Sequence, residues 1–155
     1  MNDLKILVFS DSHRSLHAML DTIEKNSPDT IIHLGDLERD AEEIGYAFPQ
    51  IPLISVPGNC DGWTTSLPIR RVSIQGINIL LSHGHLWQVK RGYEYAILEA
   101  HKADADILLF GHTHVAHCKQ MEDGLWVMNP GASTDSYGTI LIENGQAKCF
   151  ITRLD

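Results

Sequence analysis

The stretch LKILVFSDSH, residues 4–13, decides how the rest of the chain is read. An apolar run from Leu4 to Phe9 has strand length, and it stops on Ser10-Asp11-Ser12-His13. The same event recurs downstream. Thr30 to Leu34 ends in Gly35-Asp36, and Pro52 to Val56 leads into Gly58-Asn59-Cys60-Asp61. Ile77 to Leu81 ends in Ser82-His83-Gly84-His85, and Ile107 to Phe110 ends in Gly111-His112-Thr113-His114. Open α/β sheets bind ligands in the crevice at the carboxyl ends of their strands. Five strands delivering Asp, His and Asn to one edge are therefore expected to converge on one site.

Between and after these runs the pattern alternates. Ser15 to Asn26 places Leu16, Met19, Leu20 and Ile23 at helical spacing, with Pro28 beyond its end. Glu38 to Phe48 carries Ala41, Ile44, Ala47 and Phe48 on one face, and Val89 to Lys102 carries Tyr93, Ile97, Leu98 and His101. Further strands are expected over Leu125 to Met128, Thr139 to Ile142 and Ala147 to Thr152. The last two are joined across Glu143-Asn144-Gly145-Gln146, a good hairpin turn. Strand–helix alternation followed by paired strands predicts an α/β layered domain with a two-sheet core. No repeat, linker or low-complexity tract divides residues 1–155, which read as one domain.

Composition narrows the classes. A chain of 155 residues with 43% hydrophobic and 21% charged residues is ordinary for a globular protein and too apolar for disorder. No stretch approaches the roughly 20 apolar residues of a membrane helix. The amino-terminal segment reads as neither a signal peptide nor a myristoylation site, so a cytoplasmic location without membrane association is expected. The formal net charge of −8 argues against general nucleic-acid binding, which needs basic stripes; the densest basic groups are Arg70-Arg71 and Lys90-Arg91. Cys60, Cys118 and Cys149 form neither a disulfide framework nor a CxxC zinc pattern. There is no GxSxG elbow, P-loop or GxGxxG.

Nine histidines are the anomaly, and five of them (His13, His83, His85, His112, His114) sit in the strand-end clusters. In extended chain, residues i and i+2 point to the same side, so Asp11 with His13, and His112 with His114, are expected to aim two donors at one point. Gly35, Gly58 and Gly111 each precede a candidate donor, where a bare backbone permits close approach. Imidazole and carboxylate donors without thiolate suit catalytic transition metals rather than structural zinc. Seven donors exceed the needs of one tetrahedral ion, and two ions bridged by a carboxylate are the economical solution.

Taken in order, Asp11-x-His13, Gly35-Asp36, Gly58-Asn59, His83-x-His85 and Gly111-His112-x-His114 resemble the motifs of the calcineurin-like metallophosphoesterases. The short length, Gly58-Asn59-Cys60-Asp61 and Asn129-Pro130-Gly131 are similar to the small YfcE-type phosphodiesterase branch, which is related to a retromer subunit of similar fold. The resemblance runs from Leu4 to about Gly131. It implies a four-layer α/β/β/α sandwich and two divalent metal ions, manganese first, with Fe, Co, Ni or Zn also suited to the donors. One ion would be held by Asp11, His13, Asp36 and His114, the other by Asp36, Asn59, His83 and His112. The implied activity is hydrolysis of small phosphate esters, diesters above all, by in-line attack of a metal-bridging hydroxide. The implied assembly is a homo-oligomer, a dimer or tetramer.

Four residues are expected to work on the substrate: Asn59, Cys60, Asp61 and His85. Many members of the superfamily carry His where this chain has Cys60, positioned to protonate the leaving group. A thiol with an ordinary pKa near 8.5 is a poor substitute, which leaves small buried filler as the other reading of Cys60 and makes His85 the next donor. Asp61 is expected to orient its neighbours by hydrogen bonding. His33, inside an apolar run, reads as a supporting residue. Arg14, Lys90 and Arg91 either steer an anionic substrate or are solvated. Trp63 and Trp87 either stack on a leaving group or pack in the core. The alternative reading of the whole chain is a non-catalytic metal-binding scaffold acting through protein partners.

Overall fold

The computed structural model describes residues 3–12, 16–35, 37–59, 61 and 66–154. Strand β1 (Leu4–Phe9) is followed by helix α1 (Leu16–Asn26), β2 (Thr30–His33), α2 (Glu38–Ala47) and β3 (Leu53–Ser55). Next come β4 (Ile69–Ile74), β5 (Ile77–Ser82), α3 (Glu94–Lys102), β6 (Ile107–Leu109), β7 (His117–Gln120) and β8 (Trp126–Asn129). The chain closes with β9 (Ser136–Glu143) and β10 (Gln146–Arg153). Two five-stranded sheets result, ordered β10-β9-β1-β2-β3 and β4-β5-β6-β8-β7. β1, β2 and β3 run parallel, and so do β5, β6 and β8.

Alternation along the central strands explains the layers. Ile6 and Val8 of β1 face inward, packed with Ile32, Ile79, Leu81, Ile107, Leu109, Met128 and Ile140 between the sheets. Leu7, Phe9 and Ile31 face outward under Met19 and Ile23 of α1 and Ile44 of α2. On the second sheet Leu80, Leu108 and Phe110 face outward under Ala96 and Ala100 of α3. The arrangement is the α/β/β/α sandwich. Among the described residues no helix is long and apolar enough to cross a membrane.

Three elements depart from the sequence reading. β4 and β7 were not expected, and both are edge strands of the second sheet. β4 alternates exposed and half-buried residues and carries Arg70 and Arg71, and β7 is the polar stretch His117-Cys118-Lys119-Gln120. Edge strands take charges that protect them from pairing with other chains, and those charges hide the apolar run. Helix α3 begins at Glu94 rather than Val89, because Gln88 (φ 54°) and Gly92 (φ 139°) break the backbone into two 3-10 turns, His85–Trp87 and Val89–Arg91.

Candidate metal centre

The parallel strands of both sheets end on the same side of the sandwich, and hydrogen bonds tie their ends together within each sheet and across the gap. Asp11 N donates to Gly35 O at 2.8 Å, Gly111 N to His83 O at 2.8 Å, and His112 N to the Asp11 carboxylate at 2.9 Å. Gly111 is required here, since a Cβ on it would stand 1.9 Å from Ser10 Oγ and 2.7 Å from Asp11 Oδ2. Gly35 (φ 94°) brings the loops after β2 and β3 together, its Cβ position lying 2.7 Å from Gly58 N.

Asp11 is buried, and its two oxygens have separate work. Oδ2 accepts from Ser10 Oγ (2.7 Å) and from His112 N, while Oδ1 faces His114 Nε2 at 3.2 Å and His83 Nε2 at 3.7 Å. His83 Nδ1 lies 2.9 Å from the Leu34 carbonyl. A carbonyl only accepts, so Nδ1 carries the proton and Nε2 presents its lone pair to the site. His112 Nδ1 stands 3.2 Å from that same Nε2. Burial, followed by the His83 and Lys90 charges, pushes the His112 pKa down to about 4, which keeps its ring neutral at neutral pH. Imidazole nitrogens and a carboxylate oxygen are donor types that suit divalent ions. His85 adjoins them, with ring centroids 5.6 Å from His83 and 6.1 Å from His112. Its Nδ1 is buried without a hydrogen-bond partner, and burial, then His83, lowers its pKa.

The way the donors are aimed corrects the extended-chain expectation. Asp11 (φ 53°), His112 (φ 71°) and His114 (φ 64°) all adopt left-handed backbone, so tight turning rather than the pleat of a strand converges them. Non-glycine residues in this region are strained and are held only where the surroundings over-determine them. His13, Asp36 and Cys60 lie outside the described residues. Among the described residues no three His, Cys, Asp or Glu side chains are arranged to hold one ion. The described donors instead face one another in two pairs, Asp11 with His114 and His83 with His112. Asn59 is exposed on the turn after β3, and no distance ties it to these pairs.

Residues 4–143 match the model of the calcineurin-like phosphoesterase superfamily domain. The chain belongs to this superfamily. Among its calcineurin-like relatives, the probable metallophosphoesterase YsnB of Bacillus subtilis is 30% identical over 93% of this chain and 88% of its own. The phosphodiesterase YfcE of Escherichia coli K12 is 27% identical over 83% and 79%. The crystal structure of Vps29 from Entamoeba histolytica complexed with zinc superimposes with a TM-score of 0.73 at 22% identity, over 97% of this chain and 99% of that one. The metallophosphoesterase family uses divalent metals.

Behind the calcineurin-like motifs lies a layer of polar support. Both Asp61 oxygens accept from Glu38 N (2.9 and 3.1 Å), and Oδ2 also accepts from Gly58 N (2.9 Å). Asp61 thus satisfies the first turn of α2 and holds the loop that carries Asn59. Gly35 N donates to His33 Nδ1 at 3.2 Å, which fixes the proton of a neutral His33 on Nε2, 3.3 Å from Ser12 Oγ. Ser12 Oγ in turn bonds the buried Asp40 of α2. This chain pins Ser12, between Asp11 and His13, to His33, two residues before Gly35. On the second sheet, Asn129 Nδ2 donates to Gly111 O (3.2 Å) and Thr113 Oγ1 (2.9 Å), bracing the His112–His114 turn.

Sequence reasoning gave no role to Ser10, Ser12 or Asp40. The signal available was a polar residue at a helix position that faces the core, as Asp40 does on α2. Trp87 is buried in the core beside Ala96, whereas Trp63 and Arg14 lie outside the described residues. His101 pairs with Asp123 on the surface at 2.7 Å, away from the centre.

Proposed function

We propose that residues 1–155 form a single phosphoesterase domain that hydrolyses small phosphate esters, diesters above all, with two divalent ions, manganese first. The observation that carries this is the His83–His112 pair, 3.2 Å apart, with the His83 lone pair directed into the site by the Leu34 carbonyl and His112 held neutral. Asp11, His13, Asp36 and His114 are the residues for one ion, and Asp36, Asn59, His83 and His112 for the other. When bound, such ions supply an acidified water as nucleophile and offset charge on the phosphoryl oxygens. The chain's own residues do the rest. Asp11 keeps Oδ1 available because Ser10 and the His112 amide occupy Oδ2. The Asp61 bonds hold Asn59 in place from behind, and the Asn129 bonds hold the His112–His114 turn. Protonation of the leaving oxygen falls to Cys60, with His85 beside the cluster as the runner-up. The same reading places the protein in the cytoplasm as a dimer or tetramer, without general affinity for nucleic acid or membrane.

Hydrolysis of bis-p-nitrophenyl phosphate by chelator-stripped protein, with and without Mn(II), tests this. Turnover restored by the metal is the expected result, and Asp36→Asn should abolish it while leaving the thermal melt in place. Inactivity across Mn, Co, Ni and Zn, with metal shown to bind, would overturn the reading in favour of a scaffold acting through protein partners.

A further inference from the structure

The two 3-10 turns after β5 form a rigid bracket. His85 points to the metal centre, Trp87 and Val89 are 2% exposed and anchor the bracket in the outer core, and Lys90 and Arg91 project from it. Gly84 (φ 112°) locks it from below, since a Cβ there would lie 2.9 Å from Val89 Cγ2. Lys90, Arg91 and Tyr93 line one side of a cavity of about 540 Å³, and Thr113 and Val115 line the other. Thr113 lies between His112 and His114, so this cavity opens beside the centre.

Two features of this open cavity favour an anion over bare solvent. In a chain with twelve Lys and Arg against twenty Asp and Glu, neither Lys90 nor Arg91 has an ion-pair partner among the described residues. Glu94 folds its carboxylate against Gly92 instead. The uncharged lining on both sides is also preorganised. The Tyr93 ring is wedged between Phe110 (4.8 Å) and His117 (5.0 Å), and Thr113 is fixed by Asn129. An ammonium beside a guanidinium fork is a donor set matched to phosphate or carboxylate.

We propose that this cavity is a subsite for a second anionic group of the substrate, a phosphate or carboxylate borne a few bonds from the ester phosphorus. The inference rests on the phosphoesterase reading and narrows it. The preferred substrates are esters with two anionic centres, one over the metals and one on Lys90 and Arg91, rather than simple neutral-armed diesters.

Calorimetric binding of pentane-1,5-bisphosphonate and of pentylphosphonate to the Mn(II)-loaded protein tests the subsite. Neither compound is hydrolysed, and they differ only in the second anion. The bisphosphonate should bind about tenfold more tightly, as one to two charge-assisted contacts at an exposed site imply. The ratio should fall toward one in the Lys90→Ala/Arg91→Ala double variant and below one in Lys90→Glu/Arg91→Glu. Equal binding of the two ligands to the unaltered protein, or a ratio that survives the double substitution, overturns the proposal. A protein that hydrolyses no ester yet keeps the ratio retains the anion site and loses only the phosphoesterase reading, so the two failures are separable.

Discussion

The two ends of the sandwich use glycine and left-handed backbone for different purposes. At the amino ends of the parallel strands, the chain reverses in hairpins at Gln75-Gly76 (φ 49° and 82°) and Asn144-Gly145 (φ 53° and 77°). A side chain on Gly76 or on Gly124 would meet nothing within 4 Å, so these turns need only the backbone conformation. At the carboxyl ends, Gly35 and Gly111 are flanked by atoms closer than a Cβ allows, and Asp11, His112 and His114 themselves take the left-handed conformation. One end is built for reversal with room to spare. The other is built for contact, and its strain buys the convergence of donors.

Substitutions should expose that contrast. Gly111→Ala inserts a methyl into Ser10 Oγ and should cost about 3 kcal/mol or more in urea denaturation, with loss of metal binding. Asp61→Ala removes the bonds to Glu38 N and Gly58 N and should cost about 1–2 kcal/mol, read in the same titration. Gly76→Ala at the far end should cost only about 1 kcal/mol, the backbone penalty alone, with metal binding unaffected. Equal losses for Gly76→Ala and Gly111→Ala would erase the distinction between the ends.

The smallest expected effect is a pH slope. His112 has its pKa depressed to about 4 from the ordinary 6.5, so below 6.5 the unfolded chain takes up a proton that the native chain refuses. In chelated protein this contribution to stability is complete above pH 6.5 and is lost progressively as pH falls toward 4. Melting temperatures measured across that window should decline, and His112→Gln should flatten the decline.

Buried strands were the legible part of the fold. β1 lies at Leu4–Phe9 as the apolar run implies, because both of its faces are covered and every residue from Ile6 to Phe9 is buried. β4 escaped because one face of it meets water, and β7 because it is short and polar, although Gln75-Gly76 between Ile74 and Ile77 was an available hairpin signal. At the site, residue types and order were readable, since Asp11, His83, His112 and His114 do gather. The backbone that gathers them was not, because left-handed conformation at Asp or His is imposed by tertiary contacts such as the Gly111–Ser10 approach. His33 was read as a supporting residue, but its partners Ser12 and Asp40 were not, for a related reason. The three lie just after β1, on β2 and on α2, and meet only in three dimensions.

Asp11 hangs from one sheet, and His83, His112 and His114 from the other. The reach between them is therefore the local separation of two slabs, set by the layer of Ile6, Val8, Leu81, Leu109 and Met128 between the sheets. Interiors packed to crystal density resist compression. The compliance of the donor set is thus inherited from this apolar layer, and a core residue with no polar atom becomes a mechanical control on the spacing of donors well beyond its own contacts.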